Sequence, residues 1–210
     1  AAKGVTLVLV SQGLRLLGWI EVKDRVRESS EKAIRHAKQM GYDVIMLTGD
    51  RQEAADTLAE KIGIGTVLAG VKPHEKAQHI MRLQGEGRSV AMVGDGINDA
   101  AALSAADVGI AMGAGSDIAL DAADFVLLRN DLIDAVSSLS LGRSTMRRIR
   151  GNLGWAFVYN IVGIPLAMGV MLPFTGFLLP PAFAAAAMSL SSVSVVGNSL
   201  LLKGWSPIRE

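Results

Sequence analysis

The amino-acid sequence predicts an α/β protein with a doubly wound parallel sheet, followed by a two-helix transmembrane hairpin. Short β-rich runs alternate with helical periodicity from about residue 44 to residue 128, a pattern typical of a parallel sheet with helices on both faces. The string GDGIND over 94–99 directly follows an apolar run over 90–93, as expected of a loop at the carboxyl end of a buried strand. No Asp, Glu, Lys or Arg occurs over 151–202, and this uncharged stretch predicts membrane-spanning helices.

Composition excludes several classes of protein. The net charge of +1 gives no electrostatic support for nucleic-acid binding. The absence of cysteine excludes disulfides and thiolate metal sites within the chain. The opening AAKGVTLVLV has neither an initiator Met nor a signal-peptide pattern, so we expect the interior of a longer protein, with a processed terminus as the alternative.

The first 41 residues predict a β-hairpin and a helix. Two β-rich runs over 5–10 and 16–22 flank a glycine-containing loop over 11–15, which is typical of a hairpin. A helix follows, because apolar residues then recur at helical spacing, and Gly41 stands where a helix C-cap favours glycine. These apolar residues are Val26, Ala33, Ile34, Ala37 and Met40.

The next elements alternate in type, which predicts the parallel sheet. Gly63 ends the second helix and Pro73 opens the third at its first position, where proline is favoured. The predicted strands cover 44–47, 67–69, 90–93, 109–112 and 125–128, and the predicted helices cover 52–62, 73–84 and 116–123.

The last third of the chain predicts a basic helix that leads into two apolar spans. Residues 132–150 are compatible with a helix and become basic, and apolar stretches over 153–172 and 182–202 are each about long enough to cross a bilayer. The basic residues are Arg143, Arg147, Arg148 and Arg150. Because they precede the first span, and Lys203 and Arg209 follow the second, both ends of the hairpin are expected in the cytoplasm. Lipid-specific binding is the alternative role for the arginines.

Three loops are expected to meet at the carboxyl edge of the sheet. They carry Thr48-Gly49-Asp50, Lys76 at the start of the third helix, and the acidic string from Asp95 to Asp99. A hydroxyl and a lysine can bind phosphoryl oxygens, and two carboxylates suit Mg²⁺, so the set indicates phosphoryl transfer. Taken singly, Thr48 and Asp50 are more typical of turn or cap chemistry, and Lys76 is more typical of a solvated lysine on a helix. A nucleophile is missing, since no spare aspartate stands at an upstream strand end except Asp24, which heads a helix-like segment.

These strings resemble the phosphorylation domain of P-type ATPases, in the haloacid-dehalogenase-like superfamily. The matching strings are TGD over 48–50, Lys76, and GDGINDAAALSAADVGIAMGAGSDIALDAADFVLL over 94–128. The resemblance implies a catalytic role for Thr48, Gly49, Asp50 and Lys76, with Thr48 and Lys76 on an aspartyl phosphate. It further implies Mg²⁺ binding by Asp95 and Asp99 in a loop shaped by Gly94, Gly96 and Asn98, with Asp99 also organising that loop.

The sequence also departs from the family. Arg51 replaces the asparagine that usually follows TGD, and Ala101 replaces a proline. The phosphorylated aspartate of the D-K-T-G-T string is absent, so ATP would be bound mostly by parts outside this chain. The resemblance implies a terminal hairpin of the nucleotide-binding domain (1–22), an incomplete phosphorylation domain (23–131), a basic stalk helix (132–151), two transmembrane helices (152–203) and a cytoplasmic tail (204–210).

Polar residues within the predicted spans indicate the transported ion. The first span carries Tyr159-Asn160 and the second carries Met188, Ser191 and Ser192, without a carboxylate in either. Hard divalent cations favour oxygen anions, whereas a thioether suits Cu(I). Singly, Met188 would be a packing residue and the two serines helix–helix contacts. Together they resemble the signature of the copper-exporting branch, which implies a path for Cu(I) through these five residues.

The sequence therefore predicts a fragment of an ATP-driven Cu(I) exporter. Its cofactors would be Mg²⁺ and ATP, with Cu(I) as cargo. Membrane lipid, the remaining domains of the pump and a copper chaperone are the expected partners, and the expected location is an integral, multi-pass membrane protein. Two alternatives stay open: a truncated, non-catalytic partner or regulator that binds Mg²⁺ and phosphate, and a membrane-tethered phosphatase.

Overall fold

The computed structural model describes residues 6–22, 26–94, 97–113, 121–176 and 180–208. The chain divides into two compact units. The first comprises Ala1–Ser137 and Ile208–Glu210, and the second comprises Ser138–Pro207. The domain boundaries predicted from the sequence stay predictions.

The first unit begins with the predicted hairpin. Strand β1 (Thr6–Gln12) pairs antiparallel with β2 (Arg15–Val22). Gly13 makes the turn with a φ of +59°, a backbone conformation that glycine adopts without steric cost. The hairpin leaves large apolar side chains exposed, among them Leu14 and Trp19.

Five short parallel strands follow, in two sheets. Strands β3 (Ile45–Leu47) and β4 (Thr66–Leu68) form one sheet. Strands β5 (Ala91–Gly94), β6 (Val108–Met112) and β7 (Phe125–Leu127) form the other, in the order β5-β6-β7. The α/β class with parallel strands is confirmed. Among the described residues, no strand lies between β3 and β5, so the parallel strands form two sheets rather than one.

Helices connect these strands. The first three are α1 (Glu28–Gln39), α2 (Gln52–Ile62) and α3 (Pro73–Gly85). Gly63 ends α2 in the left-handed conformation, at a φ of +75°, as its C-cap position predicts. A 3₁₀ turn (Ile97–Asp99) and a short helix α4 (Ala100–Ala105) follow β5. The sequence pattern does not predict α4, and most of the helix predicted at 116–123 lies outside the described residues.

Two apolar clusters stabilise the first unit. One lies between α3, α4 and the strands β5 and β6, and contains Ile80, Met92, Ala102, Leu103 and Ala111. The other joins α1 to the start of helix α5 (Leu132–Ala167) and contains Ala33, Ala37, Ile133 and Val136. Full burial of a side chain such as Leu103 contributes roughly 1.5–3 kcal/mol, so the first cluster holds the loop after β5 in place.

The second unit is helical. It contains most of α5, a short helix α6 (Leu172–Thr175), helix α7 (Pro181–Leu200) and a 3₁₀ turn (Leu201–Gly204). Helix α5 is continuous and includes Pro165 near its end. The chain then turns at Gly169, whose φ is +84°.

The predicted transmembrane hairpin is not supported. Among the described residues, no helix combines the length and apolar character needed to cross a membrane. The predicted first span extends to residue 172, but α5 ends at Ala167, so its uncharged part covers only 151–167. A span needs about 20 apolar residues. Helix α7 carries six polar residues, namely Ser189, Ser191, Ser192, Ser194, Asn198 and Ser199.

Candidate functional site

The loop after β3 holds Thr48, Gly49 and Asp50 in a fixed arrangement. The hydroxyl of Thr48 donates to Asp50 Oδ2 at 3.0 Å and accepts the backbone N–H of Asp50 at 3.1 Å. These bonds are typical of a side-chain turn. They orient both side chains of the loop at the carboxyl end of β3, where parallel sheets place their ligands.

This loop is bonded to the segment that leads into α3. The N–H of Val71 donates to the Thr48 carbonyl at 3.0 Å, and that of Gly70 donates to the Asp50 carbonyl at 2.8 Å. A Cβ at Gly49 would lie 3.4 Å from the Val71 carbonyl, which is ordinary contact. The first two predicted loops therefore lie side by side.

Helix α3 begins with a cap that orients its first turn. Glu75 Oε2 accepts the N–H of Lys72 at 3.0 Å, and this hydrogen bond lowers the pKa of Glu75 below its usual value. Pro73 occupies the first turn, where no intrahelical N–H bond is required. The cap therefore fixes the first turn of α3, and Lys76 directly follows the capping residue Glu75.

Lys76 forms an ion pair with Asp99. Its Nζ lies 2.6 Å from Asp99 Oδ1, and only 14% and 12% of the two side chains are exposed. The expectation of a solvated helix lysine is therefore wrong for Lys76. An ammonium has three N–H donors and Asp99 takes one, so others can bind phosphoryl oxygens.

Gly94 permits this placement of Asp99. A Cβ at Gly94, the last residue of β5, would lie 2.7 Å from Asp99 Oδ2 and 2.8 Å from Asp99 Cβ. Such contacts are too short for any residue but glycine unless Asp99 moves. Asn98 is exposed in the 3₁₀ turn, whereas Asp95 and Gly96 lie outside the described residues.

Two further aspartates, which the sequence motifs do not single out, accept hydrogen bonds from the backbone at the starts of two strands. Asp107 Oδ2 accepts the N–H of Val90 at 2.7 Å, which lowers the pKa of Asp107. Asp124 Oδ2 accepts the N–H of Gly109 at 2.8 Å. The signal available in the sequence is the position of each aspartate, just before a β-rich run. The first bond fixes the start of β5, whose end carries the site, and the second fixes the start of β6, which pairs with β5.

The described residues contain no group of three or more His, Cys, Asp or Glu side chains placed to bind a metal. A Mg²⁺ ion needs fewer, because it is held by one or two carboxylates together with waters and substrate phosphate. The buried carboxylate of Asp99 is of the right chemical type. The donor set at the end of β5 therefore suits Mg²⁺, with Asp95 as the further expected ligand.

The residues predicted on a metal path are distributed along α5 and α7. Tyr159 Oη lies 3.5 Å from Ser194 Oγ, a residue that the sequence pattern does not select. Ser191 is half-buried, whereas Asn160 and Ser192 are exposed. Met188 belongs to α7, but its side chain lies outside what the structure describes. Within the second unit, the structure thus brings Tyr159 to α7 at Ser194.

Similar proteins cover nearly the whole chain. The "Probable copper-transporting ATPase PacS" of Synechococcus elongatus is 47% identical over 98% of this chain and 28% of its own length. The "Copper-exporting P-type ATPase" of Vibrio cholerae is 47% identical over 99% and 23%. The "Copper-transporting ATPase 1" of Mus musculus is 50% identical over 96% and 13%. The chain therefore spans about an eighth to somewhat over a quarter of the length of these relatives.

The fold is also found in solved structures. A crystal structure of a zinc-transporting PIB-type ATPase matches 96% of this chain and 32% of its own, with a TM-score of 0.78 and 34% identity. A second crystal structure with the same description, in another state, matches with a TM-score of 0.73. A family model described as "haloacid dehalogenase-like hydrolase" matches residues 1–107. The chain therefore belongs to the haloacid dehalogenase-like hydrolase family.

Proposed function

We propose that this chain is part of an ATP-driven pump that exports Cu(I) through an aspartyl-phosphate intermediate. The first unit supplies groups that bind and orient the phosphoryl group, and the second unit supplies part of the metal's path. The relatives named as copper-transporting ATPases match both units, since they align with 96–99% of the chain. The chain alone does not complete the cycle, because the phosphorylated aspartate of the family string is not in it.

The observation that carries the proposal is the buried pair of Lys76 and Asp99. Solvent and salt would screen the charge of a lysine on the surface, whereas Lys76 Nζ is held at 2.6 Å by Asp99 with little exposure. The pair joins α3, which carries Lys76, to the 3₁₀ turn after β5, which carries Asp99, and the segment that leads into α3 is bonded to the Thr48 loop. Such an arrangement of a hydroxyl, a fixed ammonium and a carboxylate supports phosphoryl transfer, which depends on positioning and charge stabilisation.

The roles of the individual residues follow from their contacts. We assign the Lys76 ammonium to the oxygens of the phosphoryl group. The Thr48 hydroxyl is assigned to the same oxygens when its one O–H turns away from Asp50, which accepts it in this structure and holds Thr48 in place. Asp99 orients Lys76, and Gly94 allows Asp99 to approach the end of β5, while Gly49 is assigned to the turn that carries Thr48. Asp95 and Asp99 are assigned to Mg²⁺, with Gly96 and Asn98 shaping their loop. When bound, Mg²⁺ would neutralise charge on the phosphoryl oxygens.

The acceptor of the phosphoryl group is assigned to a carboxylate outside this chain. Among the described strands, β3 pairs only with β4, and β5 pairs with β6 alone. Each therefore keeps one edge available for a further parallel strand. A strand in that position would end at the same edge as Thr48 and Gly94, which is where an aspartate could receive the phosphoryl group.

Copper is favoured over zinc as the cargo for two reasons. The relatives named for copper are 47–50% identical to this chain, whereas the structures named for zinc are 34% identical. In addition, the stretch over 151–202 contains no Cys, His, Asp or Glu, the residues that bind zinc, whereas Met188 offers a thioether that suits Cu(I). We assign Tyr159, Asn160, Met188, Ser191 and Ser192 to the path of Cu(I).

The complete protein is expected to have further partners and a membrane location. We propose that the other domains of the pump, membrane lipid and a copper chaperone are partners of the complete protein. An integral, multi-pass location with both ends of the chain in the cytoplasm stays a prediction.

The test is phosphoenzyme formation in the full-length protein. With labelled ATP and Mg²⁺, Cu(I) should stimulate labelling, and Zn²⁺ should not. Lys76→Met should reduce labelling by at least about tenfold, since removing one fixed donor to a transition-state oxygen costs roughly 10²–10³ in known cases. Lys61→Met, on an exposed position of α2, is the matched control and should label normally. Equal labelling of the Lys76 and Lys61 variants would refute the phosphoryl role, and stimulation by Zn²⁺ alone would refute the cargo.

A further inference from the structure

A cluster of four polar side chains joins the two long helices within the second unit. Arg148 and Asn152 lie on α5, and Asn198 and Ser199 lie on α7. Arg148 Nη1 donates to Asn198 Oδ1 at 3.1 Å, and Asn198 Nδ2 donates to Asn152 Oδ1 at 2.7 Å. Asn152 Nδ2 in turn donates to Ser199 Oγ at 2.8 Å. We call these four side chains the polar cluster.

Asn198 is the centre of the polar cluster. Its Oδ1 accepts from the Arg148 side chain, and its Nδ2 donates both to Asn152 and, at 3.3 Å, to the Arg148 carbonyl. The side-chain amide thus uses its acceptor and both of its donors. An aspartate would keep the acceptor and lose both donors, so an asparagine is specifically required for this bonding pattern.

Gly151 makes room for Asn198. A Cβ at residue 151 would lie 3.2 Å from Asn198 Nδ2, which is closer than ordinary contact. One helical turn later, a Cβ at Gly154 would meet nothing within 4 Å. The two glycines of the same helix therefore differ in one respect, which is whether a methyl group would push on Asn198.

The polar cluster and the proposed metal path share one face of each helix. Tyr159 lies seven residues after Asn152, and Ser194 lies four residues before Asn198, spacings that keep each pair on one helix face. Tyr159 Oη lies 3.5 Å from Ser194 Oγ, so the same antiparallel register holds at both contacts. The hydroxyl of Ser194 donates to the Leu190 carbonyl at 2.9 Å. Its lone pairs therefore face Tyr159, which acts as the donor.

We propose that Asn198 is a positioning residue for metal transport. The polar cluster sets the register of α5 against α7, and this register places Tyr159 against Ser194, which lies about one helical turn after Ser191. A slip by one helical turn would move α7 by about 5.4 Å and would take Ser194 out of reach of Tyr159. The proposal rests on the proposed function, because the metal path is assigned there.

The test measures metal dependence separately from phosphate chemistry in the full-length protein. Variants Asn198→Ala, Asn152→Ala and the double variant are compared by the Cu(I) concentration that half-maximally stimulates ATP hydrolysis. Labelling by inorganic phosphate in the presence of Mg²⁺ and the absence of Cu(I) serves as the second readout. Each single variant removes two or more hydrogen bonds, so it should raise the half-maximal Cu(I) concentration at least about fivefold, the factor expected for the loss of one. The double variant should be no worse than the more affected single variant, because the two side chains act as one unit. Labelling by phosphate should stay at the wild-type level.

Matched variants separate positioning from helix stability. Gly151→Ala should raise the half-maximal Cu(I) concentration, whereas Gly154→Ala should not, although both substitutions increase helix propensity equally. Asn198→Asp should fail to restore the wild-type value, since it lacks both donors.

The outcomes have distinct meanings. An unchanged half-maximal concentration in Asn198→Ala, with a wild type that Cu(I) stimulates, would overturn the positioning role and leave the proposed function intact. A parallel loss of metal stimulation and of labelling by phosphate would show a folding contact alone and would also overturn it. A wild type that Cu(I) does not stimulate would overturn the proposed function, and the positioning role with it.

Discussion

Replacing Gly94 with alanine tests whether the approach of Asp99 to the end of β5 is needed for phosphoryl transfer. The added Cβ would lie 2.7 Å from Asp99 Oδ2 and 2.8 Å from Asp99 Cβ, whereas ordinary contact begins at 3.4 Å. Asp99 must therefore retreat by about 0.7 Å, because the contact at its own Cβ cannot be relieved by rotation of the side chain alone.

The shift of Asp99 would change its ion pair with Lys76. The Nζ–Oδ1 distance of 2.6 Å would lengthen toward about 3.3 Å if Lys76 stayed in place, beyond the range of about 2.7–2.9 Å for charge-assisted bonds. If Lys76 followed instead, its ammonium would leave the phosphoryl site by a similar distance. A misplacement of about 1 Å can cost roughly 10²-fold in rate, so we expect a loss of at least about tenfold. Overpacking should also reduce the free energy of unfolding by about 1–3 kcal/mol.

The assay is the initial rate of phosphoenzyme formation by the full-length protein with saturating Cu(I), together with thermal unfolding. Gly49→Ala is the control at the neighbouring loop, because its Cβ would make only an ordinary 3.4 Å contact. A Gly94→Ala protein that forms phosphoenzyme at the wild-type rate would refute the argument that Gly94 sets the position of Asp99. A Gly49→Ala protein impaired to the same degree would show that the effect is not specific to that contact.

Three further substitutions test the residues that pack or hydrogen-bond around the strands of the site. Gly109→Ala should lower the melting temperature, because its Cβ would lie 2.6 Å from the Leu103 backbone carbonyl, and thermal unfolding measures the loss. Leu103→Ala should cost about 2–5 kcal/mol in denaturant unfolding, since Leu103 is 1% exposed, and a cost below about 1 kcal/mol would contradict the assigned core. The pKa of Asp107 is lowered by the Val90 N–H, so its stabilising effect is present above the ordinary carboxyl pKa of about 3.9 and is lost as the pH falls through the lowered value. The difference in melting temperature between wild type and Asp107→Asn should therefore shrink from about pH 7 to about pH 3, and a difference that grows on acidification would contradict it.

Elements with strong local signals are predicted closely by the sequence. Helix α2 covers Gln52–Ile62, as the periodicity and the capping Gly63 indicate. Helix α3 begins at Pro73 for the same kind of reason. In both cases the information is contained in neighbouring residues, so no knowledge of tertiary contacts is needed.

Long-range features are not predictable in the same way. The pair of Lys76 and Asp99 joins residues 23 apart in sequence, and the motifs identify both residues without indicating their contact. The polar cluster joins Arg148 to Asn198 across 50 residues, and the sequence assigns Arg148 only a role in topology or lipid binding. The end of α5 at Ala167 is also missed, because average hydropathy does not register the left-handed turn at Gly169. Each miss depends on where two distant segments meet or on a local backbone conformation.

The charge balance of the site explains why it needs groups beyond this chain. Lys76 and Asp99 lie 2.6 Å apart and their charges cancel, so the pair has no net positive charge. Its contribution is to orient the phosphoryl group. A phosphoryl group brings nearly two negative charges, and Asp50 beside Thr48 adds another carboxylate. Of the two described side chains assigned to its oxygens, Thr48 and Lys76, only Lys76 is charged. In the proposed mechanism, the neutralising charge would therefore come mainly from Mg²⁺, while these loops orient the phosphoryl group. A site that orients its substrate, without an excess of positive charge, depends on the exact distances between its groups. The close approach of Asp99 to Gly94 is therefore important.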